Sequence, residues 1–329
     1  MSWSRNCQIY VKEASTVAGK DEQKGPLSSY FDRVSNEDYE HETLEGSESK
    51  RLQVCIEILL QKAHISKEEI AFFVGGDLSD QLGVTHQALK EFQAPLIGIY
   101  GACSTITLSM IVAANFLKKE QPLSTIAFAS SSYASAERQF RYPLEYGMQR
   151  KETSEHTVTG AGAILLTNQE TEIVFSEYTI GDIHDVAWTD VNDMGTPMAF
   201  AAYQTLKDHL RHFHRTFEDY DLILTGDLSQ VGTEMLAQCF AEDGTPLLHH
   251  MDAGLCIYDR EKQKMKAGGS GAACLPLVAF SKVFQDLSSG KYRRVLLLAT
   301  GALFSPTTIH QKAPIPVVAH AVTLERKAV

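Results

Sequence analysis

The chain has 329 residues, 44% of them apolar and 22% charged, enough for about two ordinary domains or one large α/β unit built from two halves. Its formal net charge of −11, with no basic stripe, argues against nucleic acid as a partner and against nonspecific adhesion to an anionic membrane surface. Six scattered cysteines without a Cys-x-x-Cys pair read as free thiols in a reducing compartment, not as a disulfide frame or a zinc site.

Met1 to Tyr10 has no apolar core of the signal-peptide kind, and no run approaches the ~18 apolar residues of a spanning helix, which predicts a soluble protein made in the cytosol. Gly25-Pro26-Leu27 and the acidic run from Glu37 to Glu48 predict a loop-rich segment laid over the surface across residues 1–50. A first half is expected over 51–175. Ser66-Lys67-Glu68-Glu69 reads as an acidic helix-start signal, followed by a short β-rich run from Ile70 that ends in Gly76-Asp77-Leu78-Ser79. The apolar run Pro95 to Tyr100 then leads into Gly101-Ala102-Cys103-Ser104-Thr105. An apolar helix follows from Ile106, ending near Lys119, with Leu108, Ile111, Val112 and Phe116 spaced for one face. Ile126 to Ser130 reads as a buried strand, residues 131–159 as a polar loop, and Gly160 to Leu166 as the closing strand.

The second half, 176–329, repeats these stations in the same order. Thr216-Phe217-Glu218-Asp219 precedes Gly226-Asp227-Leu228-Ser229, and the two tetrads lie 227 − 77 = 150 residues apart. Gly269 to Cys274 opens a helix ending near Leu287, Leu296 to Thr300 is a buried strand, and Val318 to Leu324 closes the half. A hairpin is expected between His249 and Lys266. Such a duplication predicts two similar βα layers packed with buried helices between them.

A cysteine at a strand-to-helix turn sits where backbone N–H groups and the helix dipole favour a thiolate or a bound carboxylate; a small cysteine packing the turn is the alternative. Duplicated βα halves with Cys103 opening the first buried helix resemble the thiolase superfold. Within it, Gly101-Ala102-Cys103-Ser104-Thr105, Ala136 to Pro143, Asp221 to Ser229, Ala267 to Gly271 and Ile315 to His320 resemble the stage V sporulation AD family of spore-forming bacteria, over about residues 25–325. The resemblance implies a thiolase-like α/β fold in five layers, α-β-α-β-α. It also implies a non-enzymatic role: binding pyridine-2,6-dicarboxylic acid (dipicolinic acid) and moving it with calcium into the developing spore. The same resemblance implies membrane proteins of the same operon as partners, a position at the forespore or spore inner membrane, and a homodimer. No cofactor and no metal site are expected.

Condensing enzymes of the superfold need a thiolate, a histidine or second cysteine, and oxyanion donors. Where ketoacyl synthases of the third type place a histidine this chain has Asp227, their asparagine falls near Gly269, and the Gly-His-Pro and Cys-x-Gly elements of thiolases are absent. His320 replaces Gly162 in the internal alignment, so it either lines the pocket beside Cys103 or is a packed core histidine. A dicarboxylate site needs donors and an apolar slot. Backbone N–H groups at Ser104 and Thr105, the guanidinium groups of Arg138 and Arg141, and the hydroxyls of Ser130 and Ser131 are the candidates. Both arginines could instead pair with Glu137 and Glu145 on the surface. Asp77 and Asp227 read better as turn or helix caps than as an acid pair. His209, His212 and His214 suit a helix end better than a metal, and Asp190, Asn192 and Asp193 lack the glycine and distal glutamate of a calcium loop. An active thiolase or ketoacyl synthase using Cys103, and a scaffold with an empty cleft, are the rival functions.

Overall fold

Trp3–Ala18, rich in β-branched and aromatic residues, forms a 16-residue strand, β1, at the centre of the molecule, where a surface loop was expected. The computed structural model describes residues 2–35, 43–117 and 123–327; part of the acidic run and the expected helix end at Lys119 lie outside these. Among the described residues of the first fifty, 19–35 keeps the expected loop-rich character, with two single-turn 3-10 helices and a two-residue strand, Arg33–Val34, beside β1.

The first half continues with α1 (Leu44–Ala63), β2 (Ile70–Gly76), β3 (Leu96–Gly98), α2 (Thr105–Phe116), β4 (Ser124–Ser131), α3 (Tyr133–Phe140), a short β5 (Glu155–Thr157) and β6 (Gly160–Thr167). The second comprises β7 (Ile173–Ile180), α4 (Gly195–Phe213), β8 (Leu222–Thr225), α5 (Ser229–Glu242), β9 (His250–Asp252), β10 (Gly268–Ser270), a helical run α6 over 274–288, β11 (Arg294–Ala302) and β12 (Val317–Arg326). The expected polar loop thus contains α3 and β5. The expected hairpin is instead β9 followed by two four-residue helices, Ala253–Cys256 and Arg260–Gln263.

The hydrogen-bonded strand order is β9-β8-β11-β12-β7-β1-β6-β4-β2-β3. Outward from the β7–β1 junction the two halves match strand for strand. Each has two antiparallel pairings followed by two parallel ones. The local signals repeat as well. Ser66/Glu69 and Thr216/Asp219 form capping boxes 150 residues apart (216 − 66), and His64 and His214, also 150 apart (214 − 64), end α1 and α4 in the left-handed conformation.

Alternation along the strands builds the layers. Ile126 and Phe128 face α1 in one outer core, while Ala127 and Ala129 face the central helices. In β11, Leu297 faces the centre, and Leu296 and Leu298 face α4 in the other outer core. The arrangement is the expected five layers, with α2 and α6 in the middle. The middle position accounts for the composition of α2, which is buried nearly all round; the stripe Leu108, Val112 and Phe116 is its least buried face.

The turn before α2 lies directly on the other half. A methyl group at Gly301 of β11 would stand 2.5 Å from the carbonyl oxygen of Gly101. Gly301→Ala is therefore expected to lower the unfolding free energy by about 2 kcal/mol, read from the urea midpoint, through displacement of the Cys103 turn. An unchanged midpoint would contradict this packing.

Candidate functional site

Cys103 sits in a 3-10 turn, Ala102–Ser104, whose Ala102 has φ of 49°, a left-handed conformation that costs about 1 kcal/mol for a residue with a Cβ. Its sulfur faces a narrow cavity of ≈ 40 Å³ between the two halves. The walls are largely apolar, with Tyr100, Phe140 and Phe304 the large rings; Arg141, Thr157 and Ser270 supply polar groups. Thr157 and Ser270 arrive together because β5 and β10 form a two-stranded parallel ribbon in which they are partners.

Asp227 stands behind Cys103. Its Oδ1 accepts from the Thr300 hydroxyl at 2.6 Å; its Oδ2 accepts from the Ser270 hydroxyl at 2.9 Å and the Gly271 N–H at 3.4 Å. The Ser270 hydroxyl in turn lies 3.8 Å from the Cys103 sulfur. Burial first, and then the neighbouring Asp227 carboxylate, push the Cys103 thiol well above its ordinary range. Burial also raises Asp227, against the hydrogen bonds it accepts. The thiol is therefore held protonated near neutral pH, the opposite of what a nucleophile needs.

The cap reading holds for Asp77 and fails for Asp227. Asp77 accepts from the N–H groups of Ser79 and Thr85, each at 2.7 Å, and so secures the short helix Gly83–Leu89. At the matching start of α5 the N–H groups of Leu228 and Ser229 bond instead to Asp252, at 3.0 and 2.9 Å. Asp252 has taken the capping role, and Asp227 is free to turn toward Cys103.

Most of the proposed donors are committed elsewhere. The N–H groups of Ser104 and Thr105 bond to the carbonyls of Gly101 and Ala102, and their hydroxyls go to the same two carbonyls at 2.7 Å each. Ser130 donates to Glu48 at 3.0 Å, beneath α1, where burial and then the Asp77 charge push Glu48 up to about 7. Ser131 donates to the Val158 carbonyl and accepts from the Ala273 N–H, stitching the two halves. Arg138 pairs with Glu45 on the surface. His320 lies within β12, not in a loop. It pairs with Ala299 as Gly162 pairs with Ala129, accepts from the Gly181 N–H at 3.3 Å, and does not line the cavity. Burial lowers it to about 4, so it is a neutral core histidine.

Arg141 does reach the cavity. It donates to Glu137 at 2.7 Å and to the Val191 carbonyl at 3.3 Å, with Glu155 4.0 Å away. The remaining histidine and acidic motifs are structural. His209 is buried among Thr179, Tyr220 and Thr323, and the Asp190 side chain accepts from the Asn192 N–H in a local turn. Among the described residues no group of His, Cys, Asp and Glu has the arrangement of a metal site.

Asp227→Asn keeps the shape of the site and removes the negative charge beside the thiol. It is expected to stabilise the thiolate, moving the pH midpoint of Cys103 alkylation by iodoacetamide downward and raising the rate at pH 8 roughly tenfold, the equivalent of one pKa unit. Equal pH profiles for the two proteins would contradict the electrostatic role of Asp227.

The family model for Stage V sporulation protein AD (SpoVAD) matches residues 1–325. Stage V sporulation protein AD of Bacillus subtilis (strain 168) is 40% identical over 327 residues, covering 99% of this chain and 96% of that protein. Solved structures share the fold at far lower identity. The 3-oxoacyl-[acyl-carrier-protein] synthase III of Aquifex aeolicus VF5 superposes with a TM-score of 0.60 at 12% identity, covering 96% of this chain and 99% of that one. A crystal structure of OleA from Xanthomonas campestris gives 0.62 at 13%, covering 97% and 98%. The fold is thiolase-like, and by the match along almost its whole length the chain belongs to the stage V sporulation protein AD family.

Proposed function

We propose that the protein is a non-catalytic receptor for dipicolinic acid in the cleft beside Cys103, acting with membrane proteins of the same operon in uptake of that acid with calcium into the developing spore. The observation that carries the reading is Asp227 beside Cys103, in a site that keeps a thiol and disfavours the thiolate. Acyl transfer needs that anion; ligand binding does not. Tyr100, Phe140 and Phe304 suit the faces of a flat ring, and Arg141 suits a carboxylate. Calcium fits this electrostatic setting, because its chelate with the dianion is neutral and meets less repulsion from the buried Asp227 than the bare dianion would. A cavity of ≈ 40 Å³ does not hold the ring as it stands, so Tyr100, which is 43% exposed at the mouth, moves on binding.

In this reading the protein is a homodimer peripheral to the forespore or spore inner membrane, with membrane contact made through its partners. No helix among the described residues is long and apolar enough to cross a membrane.

Calorimetric titration with dipicolinate, with and without calcium, tests the reading. Saturable binding is expected for the wild type, a roughly tenfold loss for Arg141→Lys and for Cys103→Leu, which fills the slot, and no change for Arg138→Ala. No heat with the wild type would overturn the binding function. Acetyl-coenzyme A is expected to leave Cys103 unmodified; a stable acyl adduct would favour the acyltransferase alternative.

A further inference from the structure

We propose that the larger cavity outside Arg141 is the outer half of the ligand site, and that Arg150 within it selects ligands carrying a second carboxylate. The proposal rests on the binding function above and deepens it. Helix α3 and the segment 141–151 enclose this outer cavity of ≈ 370 Å³, and Arg141 lines both it and the inner slot, so the two spaces share this residue as a wall. The inner slot has room for a water or two, far less than a ring bearing two carboxylates. A ring that enters the slot as Tyr100 moves therefore leaves its carboxylates at Arg141 and outward of it.

What it meets there is cationic. Arg141, Arg150 and Lys151 line the outer cavity against one carboxylate, Glu137, in a chain whose net charge is −11. Lys151 is neutralised by Asp190 at 2.8 Å, which leaves the two arginines. Glu137 bridges them, 2.7 Å from Arg141 and 2.5 Å from Arg150. A carboxylate between two guanidinium groups is thus already built, with a side chain of the protein standing where a ligand group would compete or share. Glu155, 4.0 Å from Arg141, offsets only part of that guanidinium's charge near neutrality, because burial pushes it up to about 7.

Arg150 is fixed in advance. Its guanidinium lies 4.7 Å over the Tyr133 ring, on which His156 stacks, and it donates to the Glu155 carbonyl at 3.1 Å. The adjacent wall is apolar and open: Tyr142, Leu144 and Met148 line the cavity yet remain 56%, 45% and 58% exposed. An apolar face beside a fixed cation pair is the complement of an aromatic acid.

The test is a calorimetric comparison of dipicolinate with pyridine-2-carboxylate, which lacks the second carboxylate, on wild type, Arg150→Gln and Arg150→Lys. Wild type is expected to prefer the diacid at least tenfold. Arg150→Gln should lose about tenfold for the diacid and little for the monoacid, while Arg150→Lys, which retains a charge against Glu137, should fall between them; unchanged thermal melts identify variants that fold. A preference for the diacid that survives undiminished in a folded Arg150→Gln overturns the role of Arg150 while leaving the binding function intact. Wild type binding neither acid overturns both.

Discussion

Asp227 accepts hydrogen bonds from Thr300 at 2.6 Å and from Ser270 at 2.9 Å, and through them one buried carboxylate joins β11, the β5–β10 ribbon and the turn that carries Cys103. A charge in that position has two effects. It satisfies donors from separate elements, which fixes the floor of the cleft, and it opposes ionisation of the one thiol that faces the cavity. The fold is shared with the 3-oxoacyl-[acyl-carrier-protein] synthase III of Aquifex aeolicus, and a cysteine acts as a nucleophile through its thiolate. Here the surroundings push the other way.

The divergence between the halves shows how such a site arises without disturbing the architecture. Two identical Gly-Asp-Leu-Ser tetrads end equivalent strands, yet Asp77 caps a helix whereas Asp252 caps the corresponding start of α5 and leaves Asp227 to the cleft. Gly162 and His320 occupy matching places beside Ala129 and Ala299. A methyl group at Gly162 would lie 2.6 Å from Pro276, so the first half demands glycine there; the second accommodates an imidazole that bonds to the Gly181 N–H. Equivalent backbone, different neighbours, different chemistry.

The duplication, the buried central helices and the position of Cys103 were legible in the sequence because they are written in local signals that recur in one order: capping boxes and strand-end glycines 150 residues apart, then small-residue turns that open apolar helices. The central strand β1 was not, because its first six residues are largely exposed, its buried residues do not alternate, and Gly25-Pro26 with the acidic run after it carry a loop signal. The site was legible only in outline. Arg141 reaches the cavity just beyond the end of α3, whereas Arg138, in the last turn of that helix, pairs with Glu45 on the surface. Ser104, Thr105, Ser130 and Ser131 have the donors a carboxylate wants, yet each meets a nearer partner that spacing alone does not reveal. Asp227 had a signal, its place where ketoacyl synthases of the third type carry a histidine, but a tetrad shared with Asp77 made capping the simpler reading; Ser270 had none, because the asparagine position falls near Gly269.

The most direct test of the account is protection of Cys103. Alkylation of the native protein would be followed residue by residue by mass spectrometry as dipicolinate with calcium is raised, with the half-buried Cys239 on α5 as an internal reference. A ligand in this cleft should slow modification of Cys103 saturably and leave Cys239 unaffected. Equal rates at both cysteines across the titration would place the ligand elsewhere and contradict the central claim.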